Sequence, residues 1–114
     1  MRLREVVAEL GLEVAVPTDA LEREVSSGYA SDLLSCVMAK ARAGNVWVTL
    51  QSHPNIVAVA SLLNLAGVII TEGAPLDPAT IEKAREENVL LLTTPLTTFT
   101  VVSKLAALGI QGVD

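Results

Sequence analysis

The chain has 114 residues, of which 51% are hydrophobic and 18% are charged, and its formal net charge is −5. A chain of this length buries enough surface for a real hydrophobic core, so we expect one domain spanning 1–114. Its eight basic residues are scattered and form no patch with aromatic side chains, which disfavours nucleic acid as a partner.

The N-terminal quarter predicts one helix and two strands at one edge of a sheet. Residues 3–10 have apolar side chains at helical spacing, and Gly11 is a natural end for this helix. The apolar run 12–16 then reads as a short strand. A second strand is expected within 22–30, where Gly28 weakens it.

The next segment predicts a second helix and contains the single cysteine. Ser31 or Asp32 can cap a helix through 33–43, which Gly44 would end. We interpret Cys36, within this helix, as a small core residue rather than a reactive thiol. One cysteine forms no disulfide within the chain and suits a reducing compartment. Since no apolar run reaches the roughly 18 residues that cross a membrane, we predict a cytoplasmic protein without a membrane partner.

From Val46 onward the chain alternates apolar, strand-like runs with helical segments. The three units are 46–67, 68–88 and 89–109. Strand–helix–strand connections this short allow only parallel strands joined by right-handed crossovers. Near-continuous apolar strands are typical of a sheet covered on both faces. We therefore predict an α/β layered sandwich with a mainly parallel sheet built from consecutive βα units, together with an N-terminal helix and edge strands.

Each of these three units contains a recognisable helix start, in which a capping side chain precedes proline or an apolar run. The starts are Ser52 or His53 before Pro54, Asp77 before Pro78, and Thr97 or Thr98. Gly67 and Gly109 are the expected helix stops, so that the first of the three helices would run to Ala66.

Polar side chains in this half of the chain cluster where the predicted strands end. Three loops, 51–55, 71–73 and 93–98, should meet along one rim, which is where open parallel sheets bind ligands. Backbone N–H groups at the helix starts would add further donors. The candidate binding residues are Ser52, His53, Asn55, Thr71, Gly73, Thr94 and Thr97. The alternative is that these residues only cap helices and form turns.

The charge pattern limits what this rim can bind. No lysine or arginine occurs in 45–82 or in 86–103, whereas Glu72 lies within one of the loops. A tight polyphosphate site usually includes a basic side chain. A phosphate would depend here on amides, hydroxyls and His53, so we expect weak or modest binding of an anion, or a neutral ligand.

The sequence shows no recognisable catalytic, metal or cofactor motif. Ser52 beside His53 is not by itself a nucleophile–base pair, because such a pair needs contact in space and a third group that orients the base. One histidine and one cysteine do not make a metal site. The glycine-rich phosphate loops of nucleotide-binding enzymes do not occur in the sequence. We therefore predict no catalytic residues, no metal, no cofactor and no enzymatic activity.

Two helical segments are unusually apolar for the surface of a small protein. Segments 32–43 and 54–66 carry apolar side chains on nearly every side. Closed twofold pairing would cover such surfaces, which predicts a homodimer. The candidate interface residues are Leu33, Leu34, Val37, Met38, Val57, Leu62 and Leu65. The alternative is burial against the sheet and the neighbouring helices of the same chain.

Four segments match the pattern of a known domain family. In "LQSHPNIVAVA", Ser52 and His53 stand where the family has Asp-Arg after one strand. In "VIITEG", Thr71, Glu72 and Gly73 stand where it has Thr-Gly-Gly after the next strand. The segments "YASDLLS" and "ENVLLLTTPLTTFTVVSKL" also fit. Over nearly its whole length the chain thus resembles the DRTGG domain family, which is related in fold to the N-terminal domain of HPr kinase/phosphorylase.

The resemblance implies a regulatory function. Such domains accompany CBS domains, phosphotransacetylase or other enzymes as non-catalytic modules that often form dimers. Kinase chemistry needs a P-loop domain, which these residues do not contain. We therefore predict a non-catalytic regulatory or protein-interaction module that forms a homodimer and binds a protein partner. The alternative is a small-ligand sensor that binds a nucleotide or another phosphorylated metabolite at the strand ends.

Overall fold

A computed structural model of the protein describes all residues from 1 to 114. The helices are α1 (Leu3–Leu10), α2 (Leu34–Lys40), α3 (Asn55–Leu62), α4 (Pro78–Glu87) and α5 (Thr98–Ala107). The strands are β1 (Glu13–Val16), β2 (Gly28–Ala30), β3 (Val46–Thr49), β4 (Gly67–Ile70) and β5 (Leu91–Thr93). A 3₁₀ helix, Asp19–Glu22, lies between β1 and β2. No helix is both long enough and apolar enough to cross a bilayer.

The five strands form one sheet in the order β1-β5-β4-β3-β2. β2, β3, β4 and β5 are parallel to one another, which confirms the prediction of a mainly parallel sheet built from consecutive βα units. β1 alone runs antiparallel, along β5, with a register shift between Val14 and Val16. The fold is therefore the expected α/β sandwich.

The two N-terminal strands lie at opposite edges of this sheet, so the prediction that they share one edge is wrong. The chain between them passes along the amino ends of the parallel strands. Backbone bonds hold it there, from Val25 N to Met1 O (2.9 Å) and from Ser26 N to Gly44 O (3.0 Å). The sequence predicts a strand within 22–30, but only its last three residues pair as β2. The backbone groups of Val25 and Ser26 bond instead to partners that are distant in sequence, which the sequence pattern does not show.

Helices cover both faces of the sheet. α2, α3 and α4 pack on one face against strand residues that include Trp47 and Leu91. α1 and α5 pack on the other face, against residues that include Val48 and Leu92. Successive residues of a strand point to opposite faces, so each apolar strand contributes to both cores. Trp47 is fully buried, and its indole Nε1 donates to Ser31 O at 2.9 Å.

Two helices are shorter than the sequence predicts. α2 ends at Lys40 rather than at 43, because Ala41 already has an extended conformation with φ −67° and ψ 149°. α3 ends at Leu62 rather than at Ala66. The residue that breaks it is Asn64, whose left-handed conformation (φ 55°) the helix cannot continue.

Gly67 is a strand residue and does not stop a helix as predicted. It is the first residue of β4, where a Cβ atom would lie 3.0 Å from Leu3 Cδ2 and 3.3 Å from Leu90 Cδ2. Glycine at this position therefore lets α1 pack closely on the sheet. Gly109, by contrast, follows α5 with φ 91°, as expected of a residue that ends a helix.

The predicted helix caps are confirmed for α4 and α5. The Asp77 side chain accepts from the backbone N–H of Ala79 at 2.9 Å, and Thr97 Oγ1 accepts from the third N–H of α5 at 3.3 Å. The prediction that Ser31 or Asp32 caps α2 is wrong. The N-cap residue is Leu33, whose side chain forms no capping hydrogen bond. The Asp32 carboxylate binds β3 instead.

The apolar surfaces of α2 and α3 are largely covered within the chain. Among the interface candidates, the fully or nearly buried residues are Val37, Val57 and Leu65. The exposed ones are Leu33, Met38 and Leu62, while Leu34 is half-buried. Three of the seven candidates therefore belong to the protein's own core, because the sheet and neighbouring helices cover them.

Candidate functional site

The loops that follow β3, β4 and β5 meet where the carboxyl ends of these parallel strands lie side by side. We call this end of the sheet, residues 50–55, 71–73 and 94–98, the carboxyl rim. The pairing of Thr49 with Ile70, and of Ile70 with Thr93, sets the three strand ends side by side. All seven predicted ligand residues therefore lie along the carboxyl rim.

Thr71 is one of the predicted ligand residues, but its hydroxyl group lies inside the protein. The residue is fully buried, and its Oγ1 donates to Thr49 O at 3.4 Å. Thr98 Oγ1 lies 2.6 Å from Thr71 Oγ1, and because the Thr71 hydroxyl already donates to Thr49 O, Thr98 donates to Thr71. Thr71 thus ties β4 both to β3 and to the first residue of α5.

Thr94 and Thr97 also hold the chain at this edge. Thr94 is nearly buried, and its Oγ1 accepts from Leu96 N at 3.2 Å. Thr97 Oγ1 lies 3.0 Å from the hydroxyl of Thr100, to which it donates, in addition to capping α5. These contacts support the alternative interpretation of the sequence, in which the threonines form turns and caps.

The loop before α3 is the part of the carboxyl rim whose side chains face solvent most. His53 and Asn55 are exposed and Ser52 is half-buried. His53 Nδ1 accepts from Asn55 N at 3.2 Å, so the neutral ring carries its proton on Nε2 and presents it as a donor. The carbonyl of Ser52 accepts from Thr80 Oγ1 at 2.6 Å, which fixes this loop against α4.

Glu72 occupies the start of α5 with its own carboxylate. Its Oε2 accepts from Thr98 N at 2.8 Å, and its backbone N–H donates to Leu96 O, also at 2.8 Å. The amino end of a helix carries partial positive charge and favours an anion. An anionic ligand would therefore have to displace Glu72 to reach this N–H group. Sequence reasoning saw only the repulsive charge of Glu72 and missed this contact.

Asp32 is a second carboxylate at the same edge that the sequence analysis did not assign to it. Its Oδ1 accepts from Thr49 Oγ1 and from Leu50 N, both at 2.8 Å. Gln51 Nε2 donates to Asp32 O at 3.1 Å. Asp32 therefore fastens the turn after β3 to the end of β2. The only sequence signal for this role is its position two residues after a strand.

The carboxyl rim is an open surface around most of its candidate residues. Gly73 and Thr94 line a groove of about 570 Å³ beside β1, together with residues such as Val14 and Pro95. Ser52, His53, Asn55, Thr71 and Thr97 line none of the four grooves of the protein. The structure thus brings the seven residues to one edge without enclosing a cavity among them.

Comparison with known families fits this architecture. The sequence pattern of the DRTGG domain family matches residues 5–108 of the chain. The chain belongs to the DRTGG domain family. The matched range contains the whole five-stranded sheet and the carboxyl rim. The two segments that resemble the motifs of the family form the turns after β3 and after β4.

The solved structures that are similar in fold to this DRTGG domain include one of a regulatory region. It is the crystal structure of the CBS and DRTGG domains of the regulatory region of Clostridium perfringens pyrophosphatase, complexed with its activator diadenosine tetraphosphate. The identity is 18% and the TM-score is 0.76. The likeness covers 91% of this chain and 45% of that one, so the DRTGG domain spans less than half of its neighbour. No curated protein matches the chain.

The turn after β4 shows why its motif favours glycine. Glu72 and Gly73 both have positive φ, 65° and 64°, a conformation that glycine adopts without steric cost. Glu72 departs from the Thr-Gly-Gly motif and accepts this conformation. Its contact with the start of α5 offsets part of the backbone cost, because the carboxylate meets an otherwise unpaired N–H group.

Proposed function

We propose that this DRTGG domain is a non-catalytic regulatory or protein-interaction module that forms a homodimer and binds a protein partner. The main support is the use of the polar groups of the carboxyl rim within the chain. The side chains of Asp32, Thr71 and Glu72 all accept or donate intrachain hydrogen bonds that fix the turns. The family assignment points the same way, since the similar solved structure is a regulatory region.

The geometry of Ser52 and His53 favours a structural role for the pair. His53 Nδ1 already accepts from Asn55 N, and the Ser52 carbonyl accepts from Thr80. Neither contact activates the Ser52 hydroxyl as a nucleophile. We expect no phosphoryl transfer from labelled ATP with Mg²⁺ to the protein itself or to an added protein substrate. Transfer that disappears in His53→Ala or Ser52→Ala would contradict the non-catalytic assignment.

Homodimer formation is supported by the apolar side chains that remain exposed on the single chain. Phe99 is 85% exposed, Leu62 70% and Leu33 61%. Burial of such side chains between two copies removes apolar surface from water. Sedimentation equilibrium at micromolar concentration should give twice the chain mass of 12.0 kDa. A mass of one chain across that range would contradict the homodimer.

A small-ligand sensor is the second candidate function. The observation that favours it is the complex of the similar regulatory region with diadenosine tetraphosphate. On this chain, a nucleotide or another phosphorylated metabolite would meet the carboxyl rim, where His53 Nε2–H and Asn55 face solvent. The start of α5 would accept a phosphate only after Glu72 moves away. We therefore expect modest affinity from hydrogen bonds to neutral groups.

Titration of the isotope-labelled protein with diadenosine tetraphosphate, ATP and pyrophosphate tests the sensor. The amide signals of Ser52, His53 and Asn55, of 71–73 and of 97–98 should shift first if the carboxyl rim binds. The amino ends of the parallel strands provide an internal control. A groove of about 530 Å³ at this end of the sheet is lined by Arg23 and Asn88, among others. Shifts confined to that groove would contradict binding at the carboxyl rim.

A further inference from the structure

An exposed stripe of α5 carries no charged residue, whereas the exposed Lys104 lies outside this stripe. Phe99, Val102, Ser103 and Ala106 follow i, i+3, i+4, i+7 spacing, and all four are exposed. Phe99 is 85% exposed and Val102 is 40% exposed. A helix on the surface of a globular protein normally presents charged or polar residues on this side. The inner side of α5 already packs on the sheet through Val101, so the outer stripe, apolar except for Ser103, is a second surface.

An apolar groove runs beside this stripe. It has a volume of about 510 Å³ and lies between α5 and the edge strand β2. Its walls include Val102 and Ala106 from the stripe, with Tyr29 and Ile110 across from them, and Asp114 is its one charged residue. Phe99 projects from the same helix, one turn before Val102. One face of the protein thus bears both an exposed aromatic side chain and an apolar groove.

The charges of the chain also distinguish this face. Residues 1–87 contain twelve acidic and seven basic side chains, which account for the whole net charge of −5. Residues 88–114 contain only Lys104 and Asp114, whose charges cancel. Two copies with a net charge of −5 repel each other least where neither presents unbalanced carboxylates. The α5 face presents a single carboxylate, that of Asp114 in the groove wall, and the exposed Lys104 is the single basic residue of the same helix.

We propose that two copies of this chain pair about a twofold axis through their α5 faces, with Phe99 of each copy seated in the groove of the other. In an isologous contact each copy supplies the same surface, so one aromatic side chain and one groove per chain form two equivalent contacts. Aromatic anchors in apolar pockets are typical centres of binding energy. The proposal rests on the homodimer proposed above and locates its contact on α5 instead of on α2 and α3.

Sedimentation equilibrium of the wild type and of matched variants tests this contact. Phe99→Glu would bury a charge without a partner and should weaken the dimer roughly 30-fold or more. Ala106→Glu should weaken it similarly from the groove side. Leu62→Glu is the control, because Leu62 is 70% exposed but lies on α3, across the sheet. It should leave the dimer intact.

The outcomes separate the two proposals. Weaker dimers for Phe99→Glu and Ala106→Glu, with an intact Leu62→Glu dimer, support the α5 contact. A wild-type dimer that both α5 variants retain would overturn the α5 contact and leave the homodimer standing. A wild type that is monomeric at micromolar concentration would overturn both proposals. Fluorescence of the buried Trp47 in each variant checks that the fold is kept.

Discussion

The helices α4 and α5 differ on their outer faces although their starts and lengths are alike. Each has ten residues and a side-chain cap, and they cover opposite faces of the sheet. The exposed residues of α4 include Glu82, Arg85 and Glu86, whereas those of α5 include Phe99, Val102 and a single charge, Lys104. Water solvates the first set well, but burial stabilises the second. Similar local signals thus form both helices, and only their outer residues indicate which one contacts a partner.

The largest effect should come from the inner face of α5. Leu105 is 4% exposed within the core that α1 and α5 share. Leu105→Ala should lower the free energy of unfolding by about 2–5 kcal/mol, through lost burial and a residual cavity. Urea denaturation measures this change. Glu82→Ala, on the outer face of α4, is the control and should stay within about 0.5 kcal/mol. Equal effects of the two variants would contradict the layer assignment.

A smaller effect should distinguish the two helix starts. Asp77 is the only side-chain cap of α4, whereas the start of α5 has acceptors from both Thr97 and Glu72. Asp77→Ala should therefore cost about 1 kcal/mol of stability. Thr97→Ala should cost less, because the Glu72 carboxylate still accepts from Thr98 N. Thermal unfolding of both variants checks the order. A larger loss for Thr97→Ala would show that Glu72 does not support α5.

The smallest effect concerns the charge of Glu72. Glu72→Gln keeps an acceptor near the start of α5 but removes the favourable interaction with the helix dipole, worth about 0.3–1 kcal/mol. Glu86 lies in the last turn of α4, where a carboxylate is unfavourable, so Glu86→Gln should not destabilise the protein. Denaturation at low and high salt compares the pair. Loss of stability in Glu86→Gln, or unchanged stability of Glu72→Gln at low salt, would contradict the proposed interaction of Glu72 with the helix dipole of α5.

Much of the central sheet could be predicted because its signals are local. The runs after Val46, Val68 and Val89 lie next to their own helix starts, and short connections force parallel pairing. The starts of α4 and α5 were also predictable, since Asp77 and Thr97 bond N–H groups within three residues. These features depend on neighbours in sequence, which a sequence shows directly.

The features that escaped prediction depend on partners far apart in the chain. Asp32 binds Thr49 and Leu50 across 17 and 18 residues, and Glu72 binds Thr98 across 26. The crossing of the chain to β2 likewise depends on contacts with Met1 and Gly44. No local pattern encodes these pairs. The candidate residues of the carboxyl rim were placed correctly at one edge, but their internal hydrogen bonds could not be read from their sequence positions.

An isotope-filtered NOE experiment on a mixture of ¹³C-labelled and unlabelled protein tests the α5 contact most directly. It detects only proton pairs that lie close together in different copies. We expect contacts from the Phe99 ring to the methyl groups of Val102, Ala106 and Ile110 of the other copy. Intermolecular contacts from Leu62 or Met38 without any from Phe99 would contradict the proposed pairing, and so would the absence of all intermolecular contacts.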